Sequence, residues 1–330
     1  MLITDGALDA LRSATSVALI CHASPDSDCV GGMMALTHAL RAQGKRAYPL
    51  SPDPIADYLQ HVPGSSDAQA VTAELPELDL VIGIEAASME RMDPIWTNAR
   101  ARLEAAPLLN VDHHMSNTGY GNERIFDPHC ASVCELEYRV LTQLGWPIDE
   151  TVAYCLLTGV IGDTRSFRTS STTPDTLRVA GDLIALGAPL NRVSDAVHKH
   201  RLPAELPLWG DVLERTRSED RILWTSITEA EARRRGLTIE QIDGIVEFLS
   251  DTRDVAASVV FKQYADGRIR LSMRSDGSVD LTAIAKLWKG GGHPQASGAT
   301  LLGMSLDEAE AAVIGAIKRA LRGEPPGPAA

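Results

Sequence analysis

Asp112, His113 and His114 follow directly on the apolar run P-L-L-N-V, so one acid and two adjacent histidines meet at the end of a hydrophobic segment. A structural histidine needs one partner, and two rings side by side oppose each other unless a cation is bound or both stay neutral. Taken alone, the triplet has two readings. It is a metal or phosphate site at a strand end, or one ring caps a loop while the other is solvated. Other stretches carry the same potential. The segment H-A-S-P-D-S-D-C-V-G-G holds His22, Asp26 and Asp28, with the two aspartates two apart in a turn. Such aspartates commonly form Asx turns, but a histidine four residues before them points toward a metal. Glu85 ends the apolar stretch L-D-L-V-I-G-I-E, and Asp163 sits in G-D-T after a further apolar segment.

Three histidines and four or five carboxylates, with no cysteine in the set, form a hard-to-borderline donor field. It suits Mn²⁺, Mg²⁺ or Fe²⁺ better than structural Zn²⁺. The donors exceed the needs of one ion. Two ions roughly 3.5–4 Å apart and sharing a carboxylate would use them all, an arrangement suited to in-line displacement at phosphorus.

These residues need a scaffold that collects distant positions. Residues 17–23, a short segment around A-Y-P-L-S-P, residues 78–85 and residues 107–112 read as strands, with a helix from Gly31 to Gln43 between the first two. Near-continuous apolar strands alternating with helices predict a mainly parallel, doubly wound α/β sheet covered on both faces. Such sheets build sites at the carboxyl ends of their strands. Ser132 and Glu135 read as a capping box opening the next helix, and residues 151–162 as another apolar helix. Beyond Thr173 the chain reads as helical and more polar, then as a smaller α/β domain. That domain holds a strand from Arg221, a hairpin turning at Asp266-Gly267, a Gly-rich loop and a last helix over Ser305–Leu321. The expected organisation is a metal-binding domain over 1–189, a helical connector over 190–218, a substrate-binding domain over 219–323 and a disordered tail over 324–330, with a cleft between the domains.

Composition narrows the class. The 330 residues are 44% hydrophobic and 23% charged, as in a globular protein. No apolar run approaches the roughly 20 residues that span a bilayer. The acidic N-terminus does not resemble a signal peptide, so no membrane and a cytoplasmic location are expected. Five cysteines make no disulfide framework. Cys130 and Cys134 read as buried small hydrophobes, and Cys21 and Cys29 as packing around the first motif. The net charge of −13 argues against a track for long duplex nucleic acid but leaves room for a small nucleotide in a local basic pocket. Arg233-Arg234-Arg235 suits a helix C-terminus, and His198-Lys199-His200-Arg201 a solvated helix face.

The motifs H-x-x-x-D-x-D, an acid after the next apolar strand, D-H-H and G-D-T-x-x-F resemble, in order, those of the DHH phosphoesterase superfamily. G-G-G-H-P-Q-A-S-G-A at 290–299 resembles the signature of its associated C-terminal domain. The match runs from about residue 15 to 320. Length and the lack of further domains are most similar to the nanoRNase/pAp-phosphatase subgroup. The resemblance implies two divalent ions, with Mn²⁺ foremost. His22 and Asp26 would hold one, Asp28, His113 and Asp163 the other, and Glu85 both. His114 would touch the substrate phosphate, with Asp112 behind it orienting its neighbours. Arg274, Ser275, the backbone of Gly290, Gly291 and Gly292, and His293 would bind the far end of the substrate; Asn117, Arg168 and Lys289 are weaker candidates. The implied activity is a phosphoric ester hydrolase in which activated hydroxide attacks short oligonucleotides such as pApA, or pAp. The rivals are a cyclic-dinucleotide phosphodiesterase and a nucleotide-binding regulator. Folds of this kind are commonly homodimers, but the sequence marks no interface. One position departs from the pattern: the family normally has Asp where this chain has Glu85. The extra methylene carries the carboxylate about 1.5 Å further. A working site is still expected, because every other ligand position matches.

Overall fold

The computed structural model describes residues 2–69, 75–199 and 201–327. The chain divides into two compact units, residues 1–200 and 201–330, and the division falls inside the segment read as a connector. His200 of the basic run and residues 328–330 of the tail lie outside the described residues. Residues 324–327 of the tail are described, and Gly327 O accepts from Arg319.

In the first unit the strands are β1 (Leu2–Ile3), β2 (Ser16–Ile20), β3 (Arg46–Leu50), β4 (Leu80–Ile84), β5 (Leu108–Asp112) and β6 (Glu123–Phe126). They form one sheet in the order β1-β6-β5-β4-β2-β3, parallel except for β1. Alternation along the central strands feeds two cores. Val17, Leu19, Ile82, Ile84, Leu109 and Val111 face one, and Ala18, Ile20, Val81 and Leu108 the other. The first face is covered by the helices α1 (Asp5–Ser13), α2 (Ser27–Ala42), α5 (Val133–Leu144), α6 (Glu150–Asp163), α7 (Pro174–Ala185) and α8 (Leu190–His198). The second is covered by the short α3 (Ile95–Asn98) and α4 (Arg100–Leu103) and their surroundings. Strand order reverses between β2 and β4, and there the parallel carboxyl ends open a crevice.

Three local expectations are corrected. Asp26 and Asp28 do not share a free loop: α2 starts at Ser27, because the Asp26 carboxylate accepts from the backbone N–H groups of Asp28 (3.0 Å) and Cys29 (3.1 Å) and so caps it. The Ser132–Glu135 capping box is half made. Ser132 accepts from Glu135 N, but the Glu135 carboxylate is drawn instead to Ala131 N (3.1 Å) and to the buried Thr176 hydroxyl (2.8 Å). The edge strands β1 and β6 were not anticipated, being too short for a periodicity signal.

Helices α2 and α6 pack at very close range. A Cβ placed on Gly159 would lie 2.3 Å from Cys134 Sγ and 2.4 Å from Asp28 Oδ1, and one on Gly31 would lie 2.6 Å from Cys155 O. Glycine is therefore required here by space rather than by backbone angle. Gly159→Ala is expected to destabilise the unit by roughly 1–3 kcal/mol through overpacking. Because the intruding methyl meets Asp28, it should also weaken divalent-metal binding. Urea denaturation of the metal-free variant and a metal titration check the two effects separately.

The second unit carries β7 (Arg217–Glu219), β8 (Ile222–Thr228), β9 (Ala257–Gln263), β10 (Ile269–Ser275), β11 (Gly291–His293) and β12 (Ala296–Leu301) in the order β11-β12-β10-β9-β8-β7. The pairs are antiparallel except β8–β9. One face is covered by α12 (Leu281–Ala285) and α13 (Leu306–Leu321), the other by α9 (Glu205–Glu214), α10 (Glu229–Arg233) and α11 (Ile245–Ser250). The hairpin turns at Asp266-Gly267 as expected, with Gly267 at φ 86°. The Gly-rich loop is a correction, since Gly291–His293 pair as strand β11 with β12. Among the described residues, no helix is long and apolar enough to cross a membrane.

Candidate metal centre

The adjacent strands β2, β4 and β5 end in register, Ile20 beside Gly83 and Ile84 beside Val111. The next residues along each chain therefore emerge together: His22 past β2, Glu85 past β4, and His113 past β5. Asp28 arrives from the first turn of α2 and Asp163 from the last turn of α6. His22, Asp28, Glu85 and His113 are all at most 4% exposed.

Glu85 is the centre of the cluster. Its backbone is left-handed, φ 54°, which is unfavourable for a residue with a Cβ, and its N–H donates to Val111 O at 2.9 Å. The carboxylate lies between two imidazoles, with Oε2 3.5 Å from His22 Nε2 and Oε1 3.9 Å from His113 Nε2. Both rings are fixed from behind. His22 Nδ1 lies 2.8 Å from Ala23 O, and His113 Nδ1 lies 3.1 Å from Cys130 O. Carbonyls only accept, so each Nδ1 carries a hydrogen and each Nε2 faces the carboxylates. His113 Nε2 also lies 3.6 Å from Asp28 Oδ2 and 3.6 Å from Asp163 Oδ2.

These separations are too long for good hydrogen bonds. They approximate the roughly 3.0–3.5 Å between two donors that share an ion about 2.1 Å from each. Glu85 Oε2 is buried and makes no hydrogen bond among the described residues. A buried carboxylate oxygen left in that state is costly without a cation. Drawn from described residues of the first unit alone, two groups of donors each have their ligand atoms all within 4.8 Å of one another: Asp28, Glu85 and His113, and His22, Cys29 and Glu85. The two groups share Glu85. The donor set and the orphaned oxygen therefore fit divalent metal.

Cys29 is the residue that sequence reasoning missed as a site component. Its place in the first turn of α2, three residues after the capping Asp26, was the available signal. Asp28 has a second engagement, since its carboxylate accepts from Val133 N (2.6 Å) and Cys134 N (3.1 Å) and caps α5. Asp26 belongs to neither donor group and acts as the cap of α2.

Behind the rings, Asp112 is fully buried. Its Oδ1 accepts from His113 N (2.8 Å), His114 N (3.2 Å) and His114 Nδ1 (2.7 Å). Asn117 Nδ2 donates to Asp112 Oδ2 and, at 2.9 Å, to Asn110 Oδ1. Although burial opposes it, this set of donors holds Asp112 below the usual carboxylate range. The His114 side chain is 17% exposed, so one ring of the pair is buried among carboxylates and the other reaches the surface.

Protons balance the charges of the metal-free cluster. Burial opposes ionisation of Glu85, but His113 and His22 hold it well below the ordinary range. His22, despite burial, is raised to about 9 by Glu85 and Asp26. Burial, opposed by His113 and reinforced by Glu85, raises Asp163 to about 7. A metal must expel these protons. Its affinity is therefore expected to rise with pH through the Asp163 titration near 7 and the His22 titration near 9. The slope is roughly tenfold per pH unit for each proton displaced. Titration at several pH values, with proton release followed in weak buffer, checks the sign.

In the second unit, the register sets Arg274, Ala296 and His293 side by side across β10, β12 and β11. Ser275 N donates to Gln295 O at 2.9 Å. Arg274 is oriented by Glu247 Oε1 (2.5 Å) and Met273 O (2.9 Å). The glycines serve their own strand pair: a Cβ on Gly290 would lie 2.2 Å from Gly298 O, and one on Gly292 2.4 Å from Ala296 O. Of the three glycines at 290–292, Gly291 is the one whose Cβ would face open space.

With this geometry in view, known proteins give a consistent comparison. The family model described as "DHH family, N-terminal domain" matches residues 16–160, and the one described as "DHHA1 domain" matches residues 226–321. A "Bifunctional oligoribonuclease and PAP phosphatase NrnA" of Thermus thermophilus is 29% identical over 301 residues, covering 91% of this chain and 88% of its own. The protein of the same description from Bacillus subtilis is 29% identical over 296 residues, covering 88% and 90%. A crystal structure titled as an exopolyphosphatase-related protein from Bacteroides fragilis superposes with a TM-score of 0.87 at 23% identity, covering 98% of this chain and 97% of that one.

Proposed function

This chain is a member of the DHH family with a DHHA1 domain, and from that membership we propose that it hydrolyses phosphoric esters in short oligonucleotides such as pApA, and in pAp, with divalent metal. The observation that carries the reading is Glu85, one buried carboxylate shared by two donor groups. Asp28, Glu85, His113 and Asp163 would hold one ion, foremost Mn²⁺, and His22 with Glu85 a second. Ions bound there would supply water acidified toward neutral pH and positive charge for phosphate oxygens.

The chain's own residues do the rest. Asp112 fixes the His114 ring through Nδ1, so that its other edge meets a phosphate of the substrate. Asn117 and Asn110 hold Asp112 in turn. Burial of Glu85 and His113 keeps water from competing with their interactions. In the second unit, Arg274, already oriented by Glu247, Ser275, the backbone at Gly290, Gly291 and Gly292, and His293 form the proposed binding residues for the rest of the substrate. Arg suits a phosphate through its planar fork of donors. The cytoplasmic setting is part of the same proposal, and the five cysteines, all free thiols, support it.

Parallel rates on pApA, pAp, a cyclic di-adenylate and a long single strand test the substrate class. Faster turnover of pApA and pAp is expected. Preference for the cyclic dinucleotide or the long strand would overturn it.

A further inference from the structure

We infer that Cys29 is a thiolate ligand, so that one of the two metal positions is a soft His22–Cys29–Glu85 site while the other, built from Asp28, Glu85 and His113, is hard. The inference rests on the reading of the cluster as a metal centre and concerns which ion each half selects. Cys29 Sγ lies within 4.8 Å of the ligand atoms of both His22 and Glu85, and all three residues are buried. An independent observation points into the same space: Glu85 Oε2, the oxygen nearest His22 Nε2, makes no hydrogen bond among the described residues.

Burial and the neighbouring Cys21, Glu85 and Asp26 hold the thiol in its protonated form, so the cation itself must draw the proton off. Sγ accepts the His22 backbone N–H at 3.3 Å. Its own hydrogen reaches Ile84 O, a weak contact at 3.5 Å, and the Cys21 thiol lies beside it. Losing the proton to solvent as the sulfur–metal bond forms therefore gives up only weak hydrogen bonding and keeps the N–H donor. Helix α2 adds its positive N-terminal end, since Cys29 lies in the first turn. Imidazole, thiolate and carboxylate together prefer Zn²⁺, Co²⁺ or Fe²⁺, whereas carboxylates with a single imidazole tolerate Mn²⁺ or Mg²⁺. The long reach of Glu85 lets one carboxylate serve both positions.

Cobalt distinguishes sulfur ligation from metal binding in general. The metal-free full-length chain is titrated with Co²⁺ while the visible ligand-field bands and the near-ultraviolet thiolate-to-cobalt charge-transfer band are followed. Both are expected in the native chain. Cys29→Ser should keep the visible bands, lose the charge-transfer band, and weaken Co²⁺ binding by about tenfold or more. Cys29→Ala should behave alike, and Cys21→Ser should retain both bands. Visible bands without charge transfer in the native chain would overturn the thiolate assignment and leave the metal centre standing, as would a charge-transfer band that survives Cys29→Ser. The absence of visible bands would overturn the metal centre itself, and the assignment with it.

Discussion

Glu85→Gln is expected to weaken divalent-metal binding at least about a hundredfold and to lower turnover of pApA by about a thousandfold or more. Changes behind a ligand already cost about 10–100-fold, and this residue is central to both donor groups. The amide matches the carboxylate in size, so the core should survive. What changes is charge and the direction of hydrogen bonding. Glutamine would turn its NH₂ toward one ring and its oxygen toward the other, at His22 Nε2 and His113 Nε2, which lie 3.5 and 3.9 Å from the native oxygens. The ring that meets the NH₂ would then be occupied by the side chain that now helps it meet a cation, and the charge shared by both positions would be lost. The variant should also lose the raised His22 titration near 9, because Glu85 is the main charge sustaining it. Metal affinity by calorimetry, rate by product chromatography and the histidine titration by NMR read the three effects. Native affinity in Glu85→Gln would remove that residue from the centre.

Asp112→Asn should separate chemistry from metal binding. A loss of roughly a hundredfold or more in turnover is expected, with metal affinity reduced much less. The carboxylate oxygen that serves His114 Nδ1 at 2.7 Å also serves two backbone N–H groups, at 2.8 and 3.2 Å, while the other oxygen accepts from Asn117. An asparagine has only one oxygen for this crowd. If that oxygen keeps the backbone, its NH₂ faces the Asn117 donor, and the negative charge that orients the His114 ring is gone. His113 is held separately through Cys130 O at 3.1 Å, which is why metal binding should be spared. Equal losses in metal affinity and rate would mean that Asp112 serves the ligands generally rather than His114.

The skeleton of the first unit was legible because its strands are near-continuous apolar runs, and because a parallel sheet delivers whatever follows such runs to one edge. That is how His22 and His113, at distant positions in the chain, come to lie within 4 Å of the Glu85 carboxylate. Cys29 was not legible. A thiol in an apolar stretch reads as core, and only the placement of α2 against β4 turns its sulfur toward Glu85. The cap made by Asp26 was not legible for a similar reason: one oxygen of its carboxylate accepts from the first backbone N–H groups of α2, which only the placement of that helix brings within reach. Gly290 and Gly292 looked like a phosphate cradle, yet their lack of Cβ is required by the neighbouring strand. Ser132-x-x-Glu135 has the letters of a reciprocal cap, but tertiary contacts with Ala131 and Thr176 outcompete the local one.

The most direct test is hydrolysis of pApA by the metal-stripped chain, with and without added Mn²⁺, with AMP followed by chromatography. AMP release that depends on the metal is the predicted result. No release at any metal concentration, with pApA still tightly bound, would contradict the account and make this a nucleotide-binding protein whose Glu85 centre does not cut.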